Sequence, residues 1–542
     1  MVYDYIVIGS GFGGSVASLR LVEKGYKVLT IEQGKRYKPE DFPKTNWNLP
    51  KYLWLPALRF FGFQKLSFFT TASILSGTGV GGGSLVYANT LYVPPEKFFR
   101  NESWNGYGDW KHILEPFYEK ASFMLGRVKY RKKGPEDDML EEVSKEMGVH
   151  DTFDSVCVGV NLDERGSERD PYFNGLGPIR KGCTECGGCM VGCRENAKNS
   201  LDMNYLWFAE KMGLEIVPET KAEKITFNDN LYTIETRSVT SFLNRKSKSY
   251  RAKGIIVAAG TLGTLDLLLK QKHKYLTLTG LSDKLGFELR TNAETLCAVS
   301  GVNRKLNNGL AITSVFSPDK DTHIEIVKYP DNSNVMKWFF GLSAKGAKNS
   351  FSRSVNLFLK TLSHPYDFLK TLFNLSWSTN MVILLVMQTI DNSMRMVWRK
   401  NISGGKIKID NRGQKRVPAY IPVGQEVLER YAVKADGIPQ NILLEVFFNR
   451  PTTAHILGGC PMSDSTDGGV IDKTLKVFGY PELYITDGSV IQGNIGVNPS
   501  LTIMAMAEYA MSLIPYRTGA QKPDLAKQLL LIEEEWKKKE SD

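Results

Sequence analysis

No uncharged apolar run in this chain approaches the ~20 residues that a helix needs to cross a bilayer. The best candidate, Met381-Val382-Ile383-Leu384-Leu385-Val386-Met387, has the length of a buried strand. The opening Met1-Val2-Tyr3-Asp4 has no basic stretch leading into an apolar one, so no secretory leader is predicted and a cytoplasmic protein is expected. Cysteine is sparse and oddly placed: four of the seven crowd between Cys183 and Cys193, a spacing unlike a secreted disulfide framework and suited to a reducing compartment. Internal repeats and low-complexity tracts are missing. The formal net charge is +11, yet no nucleic-acid recognition module accompanies it. The charge therefore reads as solubility or as attraction to an acidic membrane surface.

What is present is enough for a compact protein of two or three domains: 542 residues, 42% of them apolar and 23% charged. Tyr5-Ile6-Val7-Ile8 reads as a short strand, Val16 to Lys24 as a helix ended by Gly25, and Val28 to Glu32 as a second strand. This βαβ start predicts a parallel sheet. Gly254 to Gly260 reads as another buried strand, followed by a helix through Leu269, and Leu483 to Ser489 as a strand leading into a helix over Leu501 to Leu513. Dinucleotide-binding pieces are thus scattered along the chain. Between them, segments such as Ile324 to Tyr329 and Met381 to Gln388 suit an antiparallel sheet in a substrate domain.

The turn after the first strand is Gly9-Ser10-Gly11-Phe12-Gly13-Gly14. Gly9 allows the tight turn, Gly11 lets backbone approach a pyrophosphate, and Gly14 lets the helix pack close to the strand, with the phosphates at the helix N-terminus. Glu32, eighteen residues beyond Gly14, stands where a carboxylate accepts ribose hydroxyls, which disfavours a 2′-phosphate. A second glycine run, Ser76 to Ser84, suits backbone lying against a large flat ligand or a flexible loop. The aromatic stretch from Tyr52 to Phe69 has two readings, a packed cap over the cofactor or a loop touching lipid. Asp524 to Lys539 predicts a docked terminal helix containing Trp536.

Taken together, Gly9 to Gly14, Gly79-Val80-Gly81-Gly82-Gly83-Ser84, Val257 to Thr261, His455-Ile456-Leu457-Gly458-Gly459 and Tyr484 to Asn498 resemble the glucose-methanol-choline (GMC) family of flavin oxidoreductases, and its cholesterol-oxidase-like branch in particular. The resemblance implies an α/β fold: a Rossmann-like FAD-binding domain from discontinuous segments 1–300 and 450–516, a substrate domain over 301–449 with a largely antiparallel sheet, and a helical tail over 517–542. It implies FAD held by Gly9, Gly11, Phe12, Gly13, Gly14, Glu32, Gly79, Gly82, Gly83, Ser84, Asn89, Ala259, Asp487, Gly488 and Asn498. Where many members carry Asn-Gly-Gly after the glycine run, this chain has Tyr87-Ala88-Asn89. His455, one of only six histidines, is expected to orient or accept the proton of an alcohol whose hydride goes to the flavin. Asn498 is expected to hold the alcohol oxygen without titrating. Glu325 lies in a segment resembling the one that carries the steroid oxidases' proton-shuttling glutamate, and reads equally as a plain strand carboxylate.

The substrate so implied is a 3β-hydroxysterol such as cholesterol, oxidised to the 3-ketosteroid with or without isomerisation, with oxygen as electron acceptor and peripheral contact with a membrane. A second reading is a dehydrogenase of another apolar alcohol passing electrons to a quinone or protein acceptor; a third is a flavin redox sensor. Cys183-x2-Cys186-x2-Cys189-x3-Cys193 bears on these, because its spacing suits an iron–sulfur cluster, zinc, or a metal-free reduced loop.

Overall fold

A computed structural model describes every residue except 105, 242–246, 347–349, 402–404, 412–414, 416 and 542. The chain opens with strand β1 (Val2–Ile8), helix α1 (Phe12–Glu23) and strand β2 (Val28–Ile31), all three largely buried. β2 and β1 run parallel, as expected from the βαβ pattern. Strand β3 (Glu215–Val217) extends this sheet beyond β2, and an antiparallel pair, β4 (Thr220–Asn228) and β5 (Leu231–Ser238), joins it through β6 (Ser247–Val257). β6 has two jobs. Its first half pairs antiparallel with β5, and its apolar second half pairs parallel with β1. Helix α2 (Thr261–Lys270) follows.

A second sheet begins with β7 (Thr295–Ser300), β8 (Ile312–Asp319), β9 (Thr322–Val327) and β10 (Phe340–Leu342). After helices α3 (Ser350–Ser363) and α4 (Pro365–Leu372) come β11 (Val382–Gln388), α5 (Pro422–Ala435) and β12 (Ile438–Ile442). The strand order is β10-β12-β7-β11-β9-β8, completed by the two-residue strand Asp154–Ser155, and every pairing is antiparallel. The sheet thus draws on 154–155 and 295–300 as well as on 301–449. Met394, Met396 and Ile409, though inside 301–449, join the core of the first sheet. Local periodicity does not reveal such exchanges, since strand pairing is decided by distant segments.

Side chains of β11 alternate between two cores, as the period of two requires. Val382, Leu384 and Val386 pack toward α5, while Ile383, Leu385 and Met387 face the other way, and the first two of these line the central cavity. The chain then returns to the first sheet, where β13 (Leu483–Ile485) pairs parallel with the end of β6, and helix α6 (Ser500–Ser512) packs against α1. The terminal helix Asp524–Ser541 docks as expected, with Trp536 against Phe123 at 5.9 Å. The aromatic stretch is mostly packing: Tyr52, Trp54 and Phe63 are buried, and Gln64, Lys65, Ser67 and Phe69 line the cavity, while Leu55, Leu58 and Phe68 remain exposed. Among the described residues no helix is long and apolar enough to cross a membrane.

Candidate active site

The two sheets enclose a cavity of about 550 Å³, within the range of cofactor and ligand sites. One end is built by the turns at the carboxyl ends of the parallel strands. Gly9 has φ +102°, and a Cβ there would stand 2.2 Å from the carbonyl oxygen of Ala258, so β1 and β6 cross too closely for any side chain. At Gly13 a Cβ would lie 1.8 Å from the Thr486 oxygen, which seats α1 against the end of β13. Gly11 differs: its Cβ would meet nothing nearer than Gly82 at 3.9 Å, so bareness here leaves room on the cavity side.

Of the residues expected at the cofactor, Gly9, Gly11, Phe12, Gly13, Glu32, Gly82, Gly83, Ala259, Asp487, Gly488 and Asn498 line this cavity. Gly14, Gly79, Ser84 and Asn89 stand behind that wall. Gly14 touches Gly9, and the Ser84 hydroxyl donates to Gly81 at 2.7 Å while accepting from the Leu201 amide at 3.0 Å, holding the glycine loop in shape. Glu32 accepts from the Ser10 amide and hydroxyl at 3.1 and 2.8 Å and from the Gly34 amide at 2.8 Å. Burial raises its pKa against those bonds. Asp487 is likewise raised by burial, and it caps the short helical turn that follows it.

These residues fit FAD. The N-terminus of α1 opens onto the cavity with no side-chain cap, leaving its amides for a pyrophosphate. Asn89 carries a buried amide with neither nitrogen nor oxygen partnered, between Ala88 and Thr90, which line the cavity. A buried orphan of this kind costs about 1–3 kcal/mol unless a ligand satisfies it. Lys65, Lys221 and Lys270 also line the cavity; burial lowers the pKa of Lys65 and Lys221. No motif in the sequence flags these lysines.

His455 and Asn498 line the same cavity. The carboxylate of Glu294, fully buried, organises the histidine. It lies 2.9 Å from His455 Nδ1 and accepts from the Thr453 hydroxyl at 2.9 Å and the Ala454 amide at 3.2 Å. Although burial works to lower the imidazole pKa, Glu294, by charge and hydrogen bond, and then the charge of Glu325 carry it above its ordinary value. With Nδ1–H given to Glu294, Nε2 is left as the acceptor. Two residues before Glu294, Asn292 accepts from the Gly496 amide at 2.7 Å and donates to the Val497 carbonyl at 3.0 Å, fixing the loop that presents Asn498. Asn292 and Glu294 thus position both site residues. Neither is apparent in the sequence; the only signal is a mostly polar stretch, Arg290 to Thr295, leading into an apolar strand, and the structure buries all of it.

Glu325 is fully buried on β9 and does not itself line the cavity. It is 3.2 Å from His323 Nε2 and accepts from Asn498 Nδ2 at 3.3 Å. The Asn498 oxygen is buried without a partner. Glu325 therefore reaches the cavity through Asn498. Where the second core lines the cavity the wall is apolar, with Leu296, Ile312, Val327, Met336, Ile383 and Leu385.

The four clustered cysteines are not drawn into a metal site. Among the described residues no group of three or more His, Cys, Asp or Glu side chains is placed to hold a metal ion, so the iron–sulfur and zinc readings have no support. Cys183, Cys189 and Cys193 pack against the second core, while Cys186 is exposed. Glu185 and Gly187, both at positive φ, wind the intervening loop. Burial pushes the Cys189 thiol up to about 11.

Residues 3–271 and 392–507 match the two regions of the GMC oxidoreductase family. Over 526 residues, covering 95% of this chain and 94% of the relative, the chain is 41% identical to a cholesterol oxidase of Acinetobacter baumannii. The chain belongs to the GMC oxidoreductase family. A cholesterol oxidase of Mycobacterium tuberculosis is 42% identical over 95% of this chain and 91% of its own length. A long-chain-alcohol oxidase of Arabidopsis thaliana is 24% identical over 93% and 66% of the respective chains. The fold is shared with a solved pyridoxine 4-oxidase from Mesorbium loti, at a TM-score of 0.60, 15% identity and coverage of 94% of this chain and 99% of that one. As a GMC oxidoreductase, this flavoprotein is FAD-dependent and acts on CH–OH donors.

Proposed function

We propose that this GMC oxidoreductase oxidises the 3β-hydroxyl of a sterol to the ketone, with oxygen as the final electron acceptor. The observation that carries the reading is the junction of His455 and Asn498 with an apolar compartment inside one cavity. The cholesterol oxidase activity by which the relatives at 41% and 42% identity are named supports it. FAD, when bound, supplies the two-electron acceptor for the hydride leaving the carbinol carbon. His455 Nε2 accepts the hydroxyl proton, and Glu294 holds the ring in the tautomer that permits this. Asn498 contacts the same oxygen. In this reading 1–300 and 450–516 carry the cofactor site and 301–449 supplies most of the apolar wall.

A fully buried carboxylate one hydrogen bond from Asn498 favours a second step, isomerisation of the ketone's double bond, in which Glu325 takes a proton from the carbon between ketone and alkene and returns it to the far alkene carbon, so that the double bond moves into conjugation with no net gain or loss. The experiment is anaerobic mixing of the yellow enzyme with cholesterol, followed by the same reaction in air. Loss of flavin colour, then peroxide formed in step with ketone, supports the reading. Bleaching by long-chain alcohols but by no sterol would overturn the substrate, and turnover without peroxide would overturn the acceptor.

A further inference from the structure

Helix α3 leaves its larger apolar face uncovered. Phe351, Val355, Phe358, Leu359 and Leu362 recur at the spacing of a single helical face, and that face is exposed. The buried side carries Leu357, in a small core with Leu342 and Val446, and Arg353, whose guanidinium donates to the carbonyls of Ala344 and Ala419 at 3.2 Å and of Glu445 at 3.4 Å. Helix α4 continues the surface: Tyr366 and, just past its end, Phe373 are 74% and 69% exposed. Of the 29 large hydrophobic side chains exposed among the described residues, 11 fall between 338 and 375. A soluble surface of ordinary character scatters such residues singly, and a concentration of this kind marks an interaction face.

Charge selects the occupant. Residues 333–375 contain five lysines and a single acid, Asp367. A second copy seated on the same face would bring like charges together, whereas an anionic lipid surface offsets them. Trp338 and Tyr366, both exposed, have the apolar body and polar edge suited to a headgroup layer. Position agrees. Met336 lines the central cavity, and the next residue, Lys337, donates to the carbonyls of Leu372 and Asn374 at the end of α4, at 3.3 and 3.2 Å. The apolar wall of the site and the exposed face are one residue apart.

We propose that α3 and α4 form a docking face for an anionic lipid bilayer, bringing the apolar end of the cavity to the headgroup layer. Its purpose rests on the lipid-alcohol reading above; the docking itself does not. The test is flotation of the FAD-loaded full chain with phosphatidylcholine vesicles, with and without phosphatidylglycerol. The enzyme is expected to float with the anionic vesicles. The triple variant Phe358→Ser, Leu362→Ser, Phe373→Ser should bind about tenfold more weakly, with unchanged melting temperature and FAD content. Leu58→Ser with Phe68→Ser, at the other apolar tip, should bind as the parent does.

A parent enzyme that stays off anionic vesicles, or a triple variant that binds them undiminished, overturns the proposal. So does a dimer that the triple variant splits while vesicle affinity stays the same, since the face would then join two copies. Turnover separates the two readings. The triple variant should keep its rate on cyclodextrin-solubilised cholesterol and lose it on cholesterol in vesicles; intact docking with no sterol turnover at all would sink the substrate and leave the docking face standing.

Discussion

Glu294 Oε2 lies 2.9 Å from His455 Nδ1, and the same carboxylate collects the Thr453 hydroxyl and the Ala454 amide. This buried acid therefore sets the position and tautomer of the histidine that lines the cofactor cavity and, with Glu325, its basicity.

The sign of the pH dependence follows. The raised pKa of His455 means that the ring is protonated, and unable to accept a proton, below a point higher than the ordinary value of about 6.5. kcat/KM should fall as pH drops through that point and level off above it. Removing the charge in Glu294→Gln should move the limb to lower pH and reduce kcat/KM by roughly 10- to 100-fold, measured as a pH profile of initial rates. An unmoved limb would show that another group titrates.

His455→Ala should cost about 10²- to 10⁴-fold in kcat while the protein keeps its yellow colour, because the glycine turn and the Glu32 hydrogen bonds that shape the cofactor site do not involve the histidine. Rapid-mixing measurement of flavin reduction isolates this step.

Gly11 and Gly13 should fail differently. Gly13→Ala places a Cβ 1.8 Å from backbone and should prevent folding or soluble expression. Gly11→Ala meets no protein atom within 3.8 Å, so the chain should fold, with a native circular dichroism spectrum, and not retain FAD. A Gly11→Ala protein with full FAD occupancy would show that the backbone does not approach the cofactor there.

Glu325→Gln separates oxidation from isomerisation. It keeps an acceptor for Asn498 and removes the carboxylate. Alcohol consumption should change by no more than about threefold, while the share of conjugated ketone in the product should fall about tenfold or more. Product analysis by chromatography reads both.

Cys186 is exposed and Cys189 packs against the second core. Cys186→Ser should leave thermal stability and turnover unchanged. Cys189→Ser should lower stability by about 1–2 kcal/mol, measured by denaturant unfolding; a loss of bound iron or zinc in either variant would restore the metal readings.

The sequence by itself determined the glycine turns of the cofactor site and singled out two polar residues, His455 and Asn498, that line the cavity. There the constraint is local: backbone crossings closer than 3 Å tolerate only glycine, so Gly9 and Gly13 mark the turn. His455 and Asn498 stand in short motifs whose spacing survives in one dimension. Only the tertiary structure decided what holds those residues. Glu294 and Asn292 act on partners 161 and 204 residues away in the chain, and no periodicity encodes such pairs. The same holds for the cysteines, whose spacing suited a metal but which form no metal-holding group among the described residues, and for Glu325, whose strand was legible but whose partners were not. Helix α3 shows the reason most directly. Its pattern states which side chains share a face, but only packing decides whether that face points into the protein or away from it.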